Sequence, residues 1–233
     1  MRSACARTSF GATSLARLLA VLVLTAALAA QSNGVHPISG RRIAPVMGYQ
    51  GAEWLERPER IEEEEPETAL DVLKIKKGDA VADIGAGSGY MTVRLARRVG
   101  STGMVFANDL QPEMIQILKD RIAKAKITNV VTVQGTVNDP KLADATVDLE
   151  LLVDVYHEFR EPQAMLRHLR TALKPNGRLA LLEYRKEDPT IPIRPEHKMS
   201  VAEAKLEVEA EGFALSSVDE SLPRQHILVF TVR

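Results

Sequence analysis

The sequence predicts an α/β protein, a doubly wound and mostly parallel sheet of seven strands ending in an antiparallel hairpin. Three observations carry this expectation. From Asp79 onward, short apolar runs alternate with segments whose apolar residues recur at helical spacing. Several of these segments end in Gly, Pro or Asn, the residues that stop strands and helices. The last two apolar runs have only Glu220 to His226 between them, too short for a crossover, so they form a hairpin.

The elements follow in order. Ala80 to Ile84 is a first strand closed by glycines, and Tyr90 to Val99 is a helix with Met91, Leu95 and Val99 on one face. Met104 to Ala107 is the second strand. Pro112 to Ala125 is a helix with Met114, Ile117, Leu118, Arg121 and Ile122 at helical spacing. Val130 to Val133 and Val147 to Val153 are the third and fourth strands. Pro162 to Leu173 is a helix stopped by Pro175-Asn176-Gly177, before a fifth strand from Arg178 to Glu183. Val201 to Glu211 follows Ser200 and is ended by Gly212. Ala214 to Asp219 and Ile227 to Val232 form the hairpin. Such alternation implies right-handed crossovers with helices on both faces, and ligands then bind beyond the carboxyl ends of the strands.

The N-terminus differs in composition. Residues 1–29 contain three arginines, no acid, and an apolar run from Leu15 to Ala29 broken only by Arg17 and Thr25. Ala27-Leu28-Ala29 supplies a small-x-small site, so the segment reads as a signal peptide cleaved before Ala30, with export expected. Membrane contact is expected only if the segment stays uncleaved as an anchor. Without those three arginines the formal charge moves from −1 to −4, which gives no electrostatic footprint for nucleic acid. The only cysteine, Cys5, falls in the leader, so the exported chain has no disulfide and no thiolate chemistry. Residues 30–78 read as an irregular lead-in and cap. Within it Glu62 to Glu65 read as a solvated acidic first turn before a helix opened by Pro66.

The chemistry gathers after the strands. Asp83 precedes Gly85-Ala86-Gly87-Ser88-Gly89, a G-x-G-x-G loop feeding a helix N-terminus. Tyr90 stands where a dinucleotide fingerprint wants its third glycine. The second strand runs into Asn108-Asp109, an acid placed to accept hydrogen bonds from ribose hydroxyls. These signals occurring together, in this order, point to a nucleoside site.

With these residues the chain resembles the class I S-adenosylmethionine-dependent methyltransferases. The resemblance covers about Asp79 to Arg233, through VADIGAGSGYMTVRLA (81–96), FANDLQPEMI (106–115), VDLELLVDVYHEF (147–159) and LKPNGRLALLEY (173–184). The last two are similar to the ubiquinone and menaquinone biosynthesis branch and other small-molecule enzymes. It implies a Rossmann-like domain over 79–233 in which Asp83 and the loop Gly85, Ala86, Gly87 and Gly89 hold the methionine part of S-adenosylmethionine. Asp109 would take the ribose hydroxyls, Leu110 would lie against the adenine, and Asp154 would stand near the sulfonium. Many relatives carry Gly-Asp-Ala after the third strand; here Gly135-Thr136-Val137 lacks that acid, leaving Thr136, Asn138 or the backbone to meet the adenine amine.

For an acceptor that must lose a proton, His157 and Glu158 are the candidate catalytic bases, against a loop-orienting His157 and an acidic first turn at Glu158. The loop from Tyr184 to Met199 is long enough to be a lid. If its Arg185, Arg194, His197 and Lys198, and Arg41 and Arg42 of the lead-in, face the site, a small anionic acceptor follows. His36, His157 and His197 have no ligand spacing, so no metal is expected. His168 falls in the 162–173 helix and His226 in the hairpin. Two other functions stay open: isoaspartate-type protein carboxyl methylation, suggested by GSGYMTVRLARRVG, and an exported domain that kept the fold without turnover. The oligomeric state is not set by any of these features.

Overall fold

The structure, a computed structural model, describes Met1 and residues 34–233; the expected leader, its expected cleavage site and Cys5 lie outside the described residues. Among the described residues the α-helices are α1 (Arg60–Glu64), α2 (Pro66–Val72), α3 (Tyr90–Val99), α4 (Pro112–Lys124), α5 (Pro162–Ala172) and α6 (Val201–Glu209). The strands are β1 (Ala80–Ile84), β2 (Met104–Asp109), β3 (Val130–Gln134), β4 (Val147–Val153), β5 (Leu173–Arg185), β6 (Lys198–Met199), β7 (Phe213–Asp219) and β8 (Gln225–Val232). Among the described residues no helix is long and apolar enough to cross a membrane.

The sheet order is β3-β2-β1-β4-β5-β8-β7. Strands β1 to β5 pair in parallel, and β8 inserts antiparallel between β5 and β7. The seven expected strands are joined by an eighth, β6, which pairs with the end of β5 through Tyr184 and Arg185. At two residues it is too short to leave a periodic pattern.

Alternation along each strand feeds two apolar layers. Ala82, Ile84 and Leu152 pack with Leu166 and Leu169 of α5 and with Phe213 and Phe230. Val81, Val105, Leu149 and Leu151 face the other way, onto Leu95 and Val99 of α3 and Leu70 of α2. Each large aliphatic side chain buried in these layers contributes about 1.5–3 kcal/mol. Glu150 is an exception, a carboxyl with no exposure and no partner among the described residues, on the central strand β4. Burial pushes its pKa well above the usual carboxylate range, which disfavours its charge in the core.

The acidic run departs from the expectation. Arg60–Glu64 is a helix of its own, and Glu65 turns the chain with φ 43° before Pro66 opens α2. Glu64 is buried, because Arg60 Nε at 2.6 Å, Arg57 Nη2 at 3.0 Å and the Tyr184 hydroxyl at 3.0 Å all donate to its carboxylate. A charge can be buried when it is paired in this way.

Candidate active site

The strand order reverses between β1 and β4, and both strands end on the same edge of the sheet. A cavity of about 360 Å³ opens there, within the range of small-molecule sites. Its walls come from the loops after β1, β2, β3 and β4, and from Val46, Met47, Trp54 and Leu55 of the lead-in.

The loop after β1 comes close to the loop after β4. Gly85 has φ 69°, and a Cβ there would lie 2.3 Å from Val155 Cγ2, so only glycine allows the approach. The same loop is tied to β2. Gly87 N–H donates to Asp109 Oδ2 at 3.0 Å, and Gln111 N–H donates to Oδ1 at 2.9 Å. Burial raises the Asp109 pKa while these amides oppose the shift. Each oxygen keeps a further lone pair for a ligand hydroxyl.

Asp154 follows β4 in the left-handed region, at φ 53°, a conformation that costs a non-glycine residue free energy and concentrates at functional sites. Gln225 Nε2 donates to Oδ2 at 2.7 Å, whereas the buried Oδ1 has no partner among the described residues. Burial and the nearby Glu64 and Glu183 charges raise its pKa well above the usual value. A cationic ligand would relieve that arrangement.

The other expected residues divide. Gly85, Gly87, Asp109, Leu110, Thr136, Asp154 and Glu158 line the cavity. Asp83 stands behind the wall, accepting from Thr92 Oγ1 at 2.5 Å, and burial raises its pKa to about 6. Ala86 N–H is held by the Asn108 carbonyl at 2.8 Å, and Gly89 begins α3 against Leu118. Asn138 donates to Glu161 Oε2 at 3.1 Å and is not among the described residues of the wall, so Thr136, with Val137, takes the place beside the cavity.

The two candidate bases separate as well. Glu158 is on the wall, and burial raises its pKa to about 7. His157 is off the wall and only 1% exposed, with Nδ1 2.6 Å from Glu183 Oε2 and Nε2 3.1 Å from His197 Nδ1. Burial lowers its pKa, but the Glu183 carboxylate outweighs this and the net shift is upward. Its reading as a substrate-facing base gives way to the loop-orienting one.

The structure also brings together possible ligand atoms that the sequence spacing does not show. Ligand atoms of His157, Glu158 and His197 lie within 4.8 Å of one another. Sequence spacing could not reveal them, because the segment after β5 folds back beside the end of β4. His36 is not part of the group; its Nε2 lies 3.2 Å from Glu207.

The basic residues expected to face an anionic acceptor are engaged elsewhere or exposed. Arg41 holds Glu207 and the His157 carbonyl, Arg185 the Leu222 and Gln225 carbonyls, and Lys198 the Asp188 carbonyl. Arg194 and Arg42 are exposed. The cations of the wall are Arg60 and Arg160. Sequence reasoning missed Arg60, Glu64, Tyr184, Glu183 and Gln225, whose only signal is their proximity after folding.

A family model described as a methyltransferase domain matches residues 75–219, more than half of the chain. The chain belongs to the class I S-adenosylmethionine-dependent methyltransferase family. The chain is 30% identical, over 118 residues, to the ubiquinone/menaquinone biosynthesis C-methyltransferase of Klebsiella pneumoniae, covering 50% of this chain and 47% of that one. It is 33% identical over 145 residues to the 2-phytyl-1,4-naphtoquinone methyltransferase of Trichormus variabilis, covering 61% and 62%. The chain thus spans about half the length of the ubiquinone/menaquinone relatives it matches. A solved S-adenosylmethionine-dependent methyltransferase from Aquifex aeolicus superposes with a TM-score of 0.77 at 29% identity, over 81% of this chain and 100% of that one. These relatives support the small-molecule branch, and neither the isoaspartate-type nor the silent-domain alternative.

The family's cofactor is S-adenosylmethionine, and the cavity suits it. The chain offers a glycine loop that a Cβ would block, a carboxylate with free lone pairs for hydroxyls, and a carboxyl oxygen without a partner among the described residues for positive charge.

Proposed function

We propose that the protein methylates a planar, apolar small molecule of the quinol class at a ring carbon, with Glu158 as the acceptor of the ring hydroxyl's proton. The observation that carries this reading is the wall around the end of β4. Val153, Val155, Phe159 and Met165 make it apolar, and Asp154 and Glu158 are the acids among them. The named activities of the quinone-methylating relatives agree with such a wall.

In this reading Asp83 and the Gly85 to Gly89 loop hold the methionine part of the cofactor, Asp109 the ribose hydroxyls, and Leu110 and Thr136 the adenine. Asp154 faces the sulfonium. Bound S-adenosylmethionine supplies a methyl group on a positively charged sulfur that leaves readily. The apolar wall orients the ring, and alignment of this kind contributes roughly 7–11 kcal/mol. Glu158 would take the hydroxyl proton and so raise electron density at the ring carbon; once that carbon carries the methyl group it would release its own proton to solvent, which restores the aromatic ring.

The leader belongs to the proposal as an export signal, and N-terminal sequencing of the protein recovered from its compartment tests it. Transfer of labelled methyl from S-adenosylmethionine to a panel of hydroquinones tests the reaction. Label on a ring carbon is expected, with Glu158→Gln lowering kcat by about 10²–10⁴-fold. Methylation of amines or protein carboxyls, with the hydroquinones untouched, overturns it.

A further inference from the structure

His157 and Glu158 leave the end of β4 together, while His197 arrives on the 3-10 turn Pro195–His197, forty residues later. Their ligand atoms lie within 4.8 Å of one another, and the two imidazoles meet edge to face at 81°. His157 Nδ1 lies 2.6 Å from Glu183 Oε2, and the neutral tautomer with its proton on that side would direct the Nε2 lone pair at His197 Nδ1, 3.1 Å away. A carboxylate that fixes the tautomer of a histidine from behind is the usual support of a metal ligand. With metal–nitrogen bonds of about 2.05 Å, nitrogens at that separation subtend roughly 100° at a shared ion, between octahedral and tetrahedral.

We propose that His157, Glu158 and His197 bind a divalent first-row transition cation, with Glu183 orienting His157. Two imidazoles and one carboxylate suit zinc or iron(II) with coordination positions left over. The electrostatics agree, since Glu158 and Glu183 are buried here and the buried Oδ1 atom of the half-buried Asp154 has no partner among the described residues. Because Glu158 also lines the cavity, a cation it holds stands at the wall where an acceptor oxygen would bind. Coordination would then promote loss of the oxygen's proton, with one Glu158 oxygen on the cation and the other accepting that proton. This role rests on the methyl-transfer reading, but the binding site does not.

The full-length protein, stripped of metal, is titrated with cobalt(II) and followed by visible absorption. One cobalt per chain is expected, with d–d bands that zinc(II) abolishes. Glu183→Gln should weaken binding by about 10–100-fold and His197→Ala at least as much. His168→Ala, at an exposed helix position, should leave it unchanged. Absence of stoichiometric binding overturns the proposal, and so does binding that His197→Ala leaves intact. If Glu183→Gln fails to fold, His197→Ala decides, with thermal unfolding and S-adenosylmethionine affinity as its folding controls. A cation that binds while methyl transfer fails would leave this site standing and count against the proposed reaction alone.

Discussion

Asp109 and Gly87 meet through a 3.0 Å hydrogen bond from the Gly87 N–H to Asp109 Oδ2, joining the loops after two neighbouring strands. The carboxylate therefore does two things, holding the glycine loop in place and presenting free lone pairs to the cavity. Asp109→Asn keeps the size but removes the charge, and its NH₂ cannot accept. A hydrogen bond to a charged group is worth about 1.5–3 kcal/mol. S-adenosylmethionine affinity should fall by roughly 10–100-fold in calorimetry, while the far-ultraviolet spectrum stays unchanged.

Gly85→Ala tests the approach of the two loops. The new methyl would lie 2.3 Å from Val155 Cγ2 on a backbone with φ 69°. Left-handed strain of about 1–2 kcal/mol and overpacking of about 1–3 kcal/mol both act against folding. The melting temperature should drop by about 5–15 °C. Adding Val155→Ala should restore part of the loss, because it removes the clash and leaves the strain.

Glu150→Met should stabilise the protein. The carboxyl is wholly buried without a partner, and an apolar side chain of similar shape avoids leaving a polar group unsatisfied. Denaturant unfolding at neutral pH should show a gain of about 1–3 kcal/mol.

Asp83 gives a pH-dependent difference. Burial raises its pKa from 3.8 to about 6, so in the folded protein its charge is disfavoured relative to the unfolded chain. The destabilisation is full above about pH 6 and is relieved as pH falls from there through 3.8. Asp83→Asn, which can still accept from Thr92, should gain stability over wild type at pH 8 by roughly 3 kcal/mol. That difference should shrink toward zero near pH 4.

The fold was legible because strand and helix alternate with different apolar periods from Ala80 to Val232, and the central parallel strands β1 and β4 bury both faces. The loop from Gly85 to Gly89 and the acids Asp83 and Asp109 were legible because they follow strands that must share an edge. What stayed hidden depends on partners distant in the chain. Glu64 looks like any member of an acidic run until Arg60, Arg57 and Tyr184 converge on it. His157 looks like a base until Glu183 of β5 and His197 turn it away from the cavity. Arg41 looks like an anion contact until Glu207 of α6 claims it.

Trp54 is the only tryptophan of the chain, and it stands in the wall of the cavity assigned to the cofactor. Titration of the full-length protein with S-adenosylmethionine, followed by tryptophan fluorescence, therefore reports on that cavity directly. The account predicts a saturable change at one equivalent per chain, shifted to higher concentration by Asp109→Asn. A fluorescence signal unmoved through millimolar cofactor, or a titration that Asp109→Asn leaves in place, would contradict it.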